Sequence, residues 1–128
     1  MHIRQMLCDV HTAKNVFADP TSFDGLSQVA LRFIAGQLEH ARGMSAVLAP
    51  LVNSYKRFVP GSEAPVYASW ARDNRAALVR VPRPSTPEDI KLELRGSDPS
   101  CNPYLALAMM LKSGLDGIAS RLPVPAPV

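Results

Sequence analysis

The chain has 128 residues, of which 47% are hydrophobic and 20% are charged, and its formal net charge is +3. This length allows one domain with one modest core. No apolar run approaches the roughly 20 residues that span a bilayer, and the basic residues form no dense cluster typical of nucleic-acid binding. Neither a membrane nor a nucleic acid is therefore expected as a partner.

The two cysteines, Cys8 and Cys101, lie far apart and have neither a CxxC spacing nor a histidine ladder beside them. This spacing indicates neither a zinc site nor a disulfide framework. Reduced thiols, and with them a cytoplasmic location, are the simplest expectation.

The first half of the chain contains one predicted strand and one long predicted helix. The strand covers residues 1–7, and a loop follows it. From residue 24 to residue 49, apolar residues recur at three- and four-residue steps, which predicts a helix capped by Asp24 or Ser27. Gly36 inside this helix marks either a weak point or close packing against another helix.

Three short strands and a second helix are predicted in the second half. The strands cover residues 66–71, 77–81 and 90–95. Asn102 followed by Pro103 is typical of a helix N-cap with proline at the first helical position. The apolar stripe of that helix consists of Tyr104, Leu107, Ala108, Leu111, Leu115 and Ile118.

The order of these elements predicts an α+β fold of short antiparallel strands backed by two helices. Short turns between the strands favour antiparallel pairing, because a parallel pair usually needs a long crossover. The predicted domain covers residues 1–122. The proline-rich tail, residues 123–128, has no evident packing partner in the sequence.

The strand at residues 90–95 is the first place where chemistry is expected. Alternation puts Lys91, Glu93 and Arg95 on one face of it. Periodicity alone favours an ordinary solvated face. The alternative is a polar cleft in which the carboxylate takes a metal and the guanidinium takes an anion.

A proline- and glycine-bounded loop and a pair of arginines are the other candidates. The loop of residues 53–65 presents Glu63, and Arg75 and Arg80 lie in or beside the next strands. Either feature is compatible with a plain surface. The common nucleotide-binding glycine motifs are absent from the sequence.

Read together, these segments resemble the glutamine synthetase family, in its bacterial and archaeal form, over residues 1–118. The resemblance lies in the order and spacing of short strings: Met1-His2-Ile3, Asn53-Ser54-Tyr55-Lys56-Arg57, Pro60-Gly61-Ser62-Glu63-Ala64-Pro65, Ser69-Trp70, Asn74-Arg75, Val79-Arg80-Val81-Pro82, Leu92-Glu93-Leu94-Arg95, Asp98-Pro99-Ser100-Cys101-Asn102-Pro103-Tyr104-Leu105-Ala106 and Gly114-Leu115-Asp116-Gly117-Ile118. The expected structure is then a partial glutamine synthetase catalytic domain.

The resemblance implies an enzyme that joins ammonia to L-glutamate with ATP as co-substrate, through γ-glutamyl phosphate. Such a reaction crowds negative charge, so Mg²⁺ or Mn²⁺ and several arginines are the expected apparatus. By position, His2 and Glu93 match metal ligands of the family. Arg57 and Arg95 match the arginines that hold the glutamate substrate.

Three further residues match catalytic and ATP-binding positions of the family. Glu63 matches the glutamate of a flap that closes the site, contacts the substrate and helps to take a proton from ammonium. Arg75 and Arg80 match arginines that contact ATP and the transferring phosphoryl group. The resemblance thus makes Glu63 and Arg75 the expected catalytic residues.

The sequence departs from the family pattern at five positions. Arg4 and Met6 stand where a second histidine and a serine are common, and these positions usually contact ATP. Ser62 replaces a common flap tyrosine, and Ala76 replaces a serine. Glu88 falls near a position in the ATP site that is often lysine, where a carboxylate repels phosphate.

Family members run several times this length and assemble as homo-oligomeric rings. The small N-terminal domain and the upstream glutamates that hold most of the metal have no counterpart in these 128 residues. The expectation is a catalytic segment that is inactive by itself and exposes apolar surface. Two alternatives stay open: a γ-glutamyl-polyamine or other amine ligase of the same superfamily, and a non-catalytic remnant.

Overall fold

The computed structural model describes all 128 residues and contains a four-stranded sheet with three α-helices packed beside it. In space the strands follow the order β1-β4-β3-β2. Their bounds are β1 Ile3–Gln5, β2 Trp70–Arg72, β3 Val79–Val81 and β4 Leu92–Leu94. Each strand is shorter than the sequence predicts, but each lies within or overlaps its predicted range.

The predicted α+β class is confirmed, although one strand pair runs in a different sense from the prediction. Strand β4 pairs antiparallel with both β1 and β3, whereas β2 and β3 are parallel. A parallel pair usually needs a long crossover. Here the strands have only three residues each, so the six residues 73–78 suffice to carry the chain back to the start of β3.

The helix predicted over residues 24–49 is wrong as a single element. It begins at Gln28, because the Ser27 hydroxyl accepts a hydrogen bond from the Ala30 amide and caps the helix. It divides at His40 into α1, Gln28–Glu39, and α2, Ala41–Leu48. His40 has φ −90° and ψ 5°, outside helical geometry, and no proline stands at the break to signal it in the sequence.

A short 3-10 helix, Val52–Arg57, leads into the loop that carries Glu63. The last helix, α3, covers Pro103–Ala119. Its predicted start is confirmed, because the Asn102 side-chain oxygen accepts hydrogen bonds from the Tyr104 and Leu105 amides.

The core lies between the helices and one face of the sheet. Val79 and Val81 of β3 and Leu92 and Leu94 of β4 point into it. Residues between these positions on each strand must point to the other face, because strand side chains alternate. Arg80 and Glu93 are therefore placed together on the face away from the core.

Helices α1 and α3 pack so closely that glycine is required at their contact. A Cβ atom at Gly36 would lie 2.1 Å from the Ser113 carbonyl oxygen, and one at Gly117 would lie 2.1 Å from the Arg32 carbonyl oxygen. Both distances are far inside van der Waals contact. Gly36 thus marks close helix packing, one of the two roles expected for it.

Five of the six residues in the predicted apolar stripe of α3 are exposed, and only Ile118 packs against the core. Tyr104 is 83% exposed and Leu107 is 54% exposed, whereas Ala106 and Met110 are buried. Spacing cannot separate these faces, since both are apolar. The close approach of α1 selects the face with small residues, and the larger side chains stay outside.

The proline-rich tail has a packing partner that the sequence does not reveal. The Trp70 indole N–H donates a hydrogen bond of 2.7 Å to the Pro125 carbonyl, and the Val128 amide donates one to the Trp70 carbonyl. The tail therefore lies along β2, one of the two edge strands of the sheet.

None of the helices combines the length and the hydropathy that a membrane-spanning helix requires.

Candidate functional site

Six of the seven residues predicted for the site line one cavity of about 250 Å³ that contains no hydrophobic side chain. They are His2, Glu63, Arg75, Arg80, Glu93 and Arg95. Arg4, which the sequence marks only as a departure from the family pattern, lines the same cavity. The cavity therefore holds four arginines and two glutamates.

Strand pairing explains most of this convergence. Arg4 on β1 lies directly opposite Glu93 on β4, and Arg80 on β3 lies opposite Glu93 from the other side. Directly opposed residues on neighbouring strands have Cβ atoms about 4.5–5.5 Å apart. The three side chains thus form a row across the sheet. His2 lies two residues before Arg4 and Arg95 two residues after Glu93, just beyond the ends of β1 and β4, so alternation puts both on the same face.

Glu93 is the centre of this row and is only 2% exposed. Its Oε2 accepts a hydrogen bond of 3.0 Å from Arg4 Nε, and its Oε1 accepts one of 2.8 Å from Arg95 Nη1. Arg80 Nη1 lies 3.5 Å from the same Oε1 atom. Both carboxylate oxygens are therefore engaged by guanidinium groups.

Two opposing effects act on the pKa of Glu93. Burial disfavours the charged carboxylate, but the hydrogen bonds from Arg4 and Arg95 outweigh burial and hold the pKa below its ordinary value. Glu93 is ionised at neutral pH. The face expected from periodicity to be solvated instead carries a buried carboxylate, Glu93, bonded to the buried Arg95 and to the largely exposed Arg4.

Arg95 connects the sheet to the loop that carries Glu63. It is 3% exposed, and its Nη2 donates a hydrogen bond of 3.1 Å to the Glu63 carbonyl oxygen. This contact leaves the Glu63 carboxylate free to face the cavity. The Nε–H of Arg95 is buried without any hydrogen-bond partner in the chain.

Arg75 and Arg80 are placed by the loop that joins β2 to β3. Asp73 in this loop has a φ of 56° and accepts a hydrogen bond from Arg80 Nε through its carbonyl oxygen. The Asn74 side chain accepts a hydrogen bond from the Ala76 amide and closes the turn. Arg75 is exposed on the cavity wall and has no carboxylate partner among the ion pairs of the chain.

Arg57 is the predicted site residue that the structure places outside this cavity. It lines an adjoining cavity of about 390 Å³ that shares His2 and Glu63 with the first. Its Nη2 donates a hydrogen bond to the Gly96 carbonyl, and its guanidinium carbon lies 4.7 Å from the centre of the Phe58 ring. The guanidinium is therefore partly committed to contacts within the chain.

The two predicted metal ligands, His2 and Glu93, line the same cavity. No three His, Cys, Asp or Glu side chains come together as a metal-binding group. Of the two predicted ligands, Glu93 already has both oxygens bound by arginines. Burial and the nearby Arg95 guanidinium lower the pKa of His2, so its imidazole is neutral at pH 7. A cation at Glu93 would face positive charge on three sides.

Met6 and Glu88, two of the departures from the family pattern, line a second cavity of about 720 Å³. Asp89 lies beside them, and Lys14 is the cationic residue of this wall. Two carboxylates make this cavity unsuited to a phosphate chain. This cavity thus differs from the first one, in which four arginines outnumber two glutamates.

Arg4 is the functional candidate that sequence reasoning missed. It was visible in the pattern, because residues two apart on a strand share a face, and His2 was already placed in the site. What the sequence does not show is the register of β1 against β4, which puts Arg4 opposite Glu93.

Comparison with known proteins gives a consistent answer. The sequence model of the family described as "Glutamine synthetase, catalytic domain" matches residues 1–128. The chain is 52% identical over its whole length to a protein named glutamine synthetase from Clostridium saccharobutylicum, of which it covers 28%. It is 53% identical over 115 residues, 90% of the chain, to one from Staphylococcus aureus strain MRSA252, of which it covers 26%. The chain thus spans about a quarter of the length of these curated relatives.

Proposed function

The chain belongs to the glutamine synthetase catalytic-domain family, and from this premise we propose that it is a segment of an enzyme that joins ammonia to L-glutamate with ATP. In this proposal Arg57 and Arg95 hold the glutamate carboxylates, and Arg75 and Arg80 hold the phosphoryl group. Glu63 takes a proton from ammonium. The isolated segment is not expected to turn over.

The observation that carries this proposal is the convergence of six of the seven proposed site residues in one wholly polar cavity. Two of them lie on β3 and β4, two directly flank β1 and β4, and two lie in loops, and they are up to about ninety residues apart in the chain. Arginines on an ordinary surface are not expected to cluster around a single buried glutamate. Such clustering is expected in a site that binds anionic substrates, because the planar guanidinium matches carboxylates and phosphates.

The proposed chemistry follows from the charge of the cavity. An oxygen of the glutamate side-chain carboxylate attacks the terminal phosphorus of ATP, and the bond to the leaving ADP oxygen breaks. Glu63 takes a proton from ammonium, and the ammonia so formed attacks the carbonyl carbon of the acyl phosphate. The bond from this carbon to the phosphate oxygen breaks, and the phosphate leaves with the second proton of the nitrogen. Arg75 and Arg80 stabilise the charge that builds up on the phosphoryl oxygens.

The Mg²⁺ or Mn²⁺ expected from the resemblance would have to draw most of its ligands from outside this chain. A homo-oligomeric ring and a cytoplasmic location are likewise part of the proposal. The exposed apolar face of α3 supports burial in a larger assembly, and the two free thiols, Cys8 and Cys101, are compatible with a reducing compartment.

Binding of L-glutamate and ATP to the folded chain, followed by amide chemical shifts, tests the proposal. Both ligands should shift resonances near Arg75 and Arg95, and Arg75→Gln should weaken the response. Arg83→Gln is the matched control, because Arg83 is also exposed but lies outside the cavity. Absence of any response to either ligand in a folded chain would contradict the proposal.

Turnover is measured in parallel as glutamate-dependent ATP hydrolysis with hydroxylamine as acceptor. Binding without turnover is the expected result for a segment that holds substrates but lacks the rest of the site. Turnover that Arg75→Gln abolishes would show that the missing part of the family domain is dispensable.

A non-catalytic anion-binding role is the second candidate. The Arg4–Glu93 contact favours it, because this contact occupies a proposed metal ligand. Binding of phosphate without any response to L-glutamate would support this role over the first.

A further inference from the structure

We propose that Arg4 supplies, at Glu93, the positive charge that a divalent cation would otherwise supply, so that the cavity binds a phosphate-type oxyanion without metal. This inference rests on the proposed function only in taking Arg75 and Arg80 as phosphoryl-binding residues. It adds Arg4 to the site as a binding residue.

The first observation is the completeness of the contact around Glu93. Arg4 Nε approaches one carboxylate oxygen to 3.0 Å, and Arg95 Nη1 approaches the other to 2.8 Å. Charge-assisted hydrogen bonds of this length are among the strong ones in proteins. A cation can reach Glu93 only by displacing at least one guanidinium.

The second observation is that the Arg95 guanidinium is held in place, whereas only the backbone of Arg4 is fixed. Arg95 is 3% exposed and is also bonded to the Glu63 carbonyl. Arg4 is held opposite Glu93 by the pairing of β1 with β4. Its side chain is 64% exposed, so it is the only one of the pair that could swing into solvent.

The third observation is the excess of positive charge in the cavity. Three guanidinium groups, those of Arg4, Arg80 and Arg95, surround the single carboxylate of Glu93. Arg75 adds a fourth guanidinium to the cavity wall. Mg²⁺ and Mn²⁺ need several oxygen ligands, and this wall offers mainly N–H donors. An oxyanion accepts hydrogen bonds from such donors.

The fourth observation is a donor with no acceptor. The Nε–H of Arg95 is buried and has no hydrogen-bond partner. The hydrogen-bonding capacity of the Arg95 guanidinium is therefore not fully used within the chain. The cavity of about 250 Å³ equals the share of several water molecules at about 30 Å³ each, which is room for inorganic phosphate.

Calorimetric titration of the folded chain with inorganic phosphate tests the inference. The titration is done in EDTA and again with Mg²⁺, and the affinity should be the same in both. Mn²⁺ binding is followed separately by electron paramagnetic resonance, and the chain should leave the free Mn²⁺ signal unchanged. Two results would overturn the inference. One is phosphate binding that EDTA abolishes, and the other is a fall in the free Mn²⁺ signal when wild-type chain is added without phosphate.

Two variants at Arg4 make the test specific. Arg4→Gln removes one charge-assisted donor and should weaken phosphate binding about tenfold, whereas the control Arg83→Gln should leave it unchanged. Arg4→His removes the permanent charge and adds a nitrogen ligand beside His2 and Glu93, and it should gain Mn²⁺ binding. Equal Mn²⁺ behaviour in wild type and Arg4→His, with both folded by circular dichroism, would contradict the proposed exchange of charge.

The outcomes separate the inference from the proposed function. Phosphate binding without metal but no response to L-glutamate would leave the inference standing and remove the ligase proposal. Metal-dependent phosphate binding together with a glutamate response would do the reverse.

Discussion

The contact between α1 and α3 is built on glycines, whereas the outer face of the sheet is built on arginines and glutamates. At the helix contact, backbone meets backbone, and an added Cβ at Gly117 would lie 2.1 Å from a carbonyl oxygen. At the sheet face, Glu93 is buried by three charged neighbours that fill no fixed shape. Side-chain volume determines which residues fit at the helix contact, and charge determines which residues fit at the sheet face. Substitutions in the two regions should therefore affect stability and binding differently.

Met110 and Leu111 give the largest expected difference, because they are neighbours in sequence and lie on opposite faces of α3. Met110 is 1% exposed and Leu111 is 45% exposed. Met110→Ala should lower the free energy of unfolding by about 2–5 kcal/mol. Leu111→Ala should cost less than about 1 kcal/mol. Urea denaturation of both variants measures this, and equal losses would mean that the outer face of α3 is also packed.

Gly117→Ala should destabilise the chain by about 1–3 kcal/mol, since the new methyl group has no space at the α1 contact. Alanine is otherwise the better helix former by about 1 kcal/mol. Gly43→Ala in α2 is the matched control, because nothing lies within 4 Å of its Cβ position. The two substitutions should therefore shift the denaturation midpoint in opposite directions. A shift in the same direction would contradict the close contact of α1 and α3.

Glu93→Gln should separate stability from binding at the sheet face. Loss of the carboxylate leaves three guanidinium groups unbalanced, and the free energy of unfolding should fall by about 1–2 kcal/mol, less than for a fully buried pair, because Arg4 is well exposed. The same change makes the cavity more positive, so phosphate should bind more tightly. Weaker phosphate binding in a folded variant would instead indicate that Glu93 acts through a metal.

Asp98 lies between the two regions, and its effect should be the smallest and depend on pH. Hydrogen bonds from the Ser100 amide and hydroxyl hold the pKa of Asp98 below its ordinary value of 3.8. Its contribution to stability is therefore present above pH 3.8 and is lost as the pH falls through the lower folded value. The melting temperature of Asp98→Asn should lie below that of wild type at pH 7, and the gap should narrow below pH 3.8. A gap that is constant with pH would mean that the charge contributes nothing.

Much of the fold was predictable where local chemistry decides. The caps at Ser27 and Asn102, the alternation around Glu93 and the approximate positions of all four strands follow from residue type and spacing. The break at His40 was not predictable, because its backbone leaves helical geometry without proline at that position. The exposure of the predicted apolar stripe of α3 was also not predictable, since both faces of the helix carry apolar residues at helical spacing.

The sequence by itself determined the family, the α+β class and six of the residues that meet in the cavity. These depend on short motifs, which survive in a segment that covers about a quarter of its relatives. Only the tertiary structure decided that Arg4 bonds to Glu93, that Arg57 lies in a separate cavity and that β2 and β3 run parallel. Strand register and helix approach are set by packing between residues distant in the chain, and no local pattern in one sequence records them.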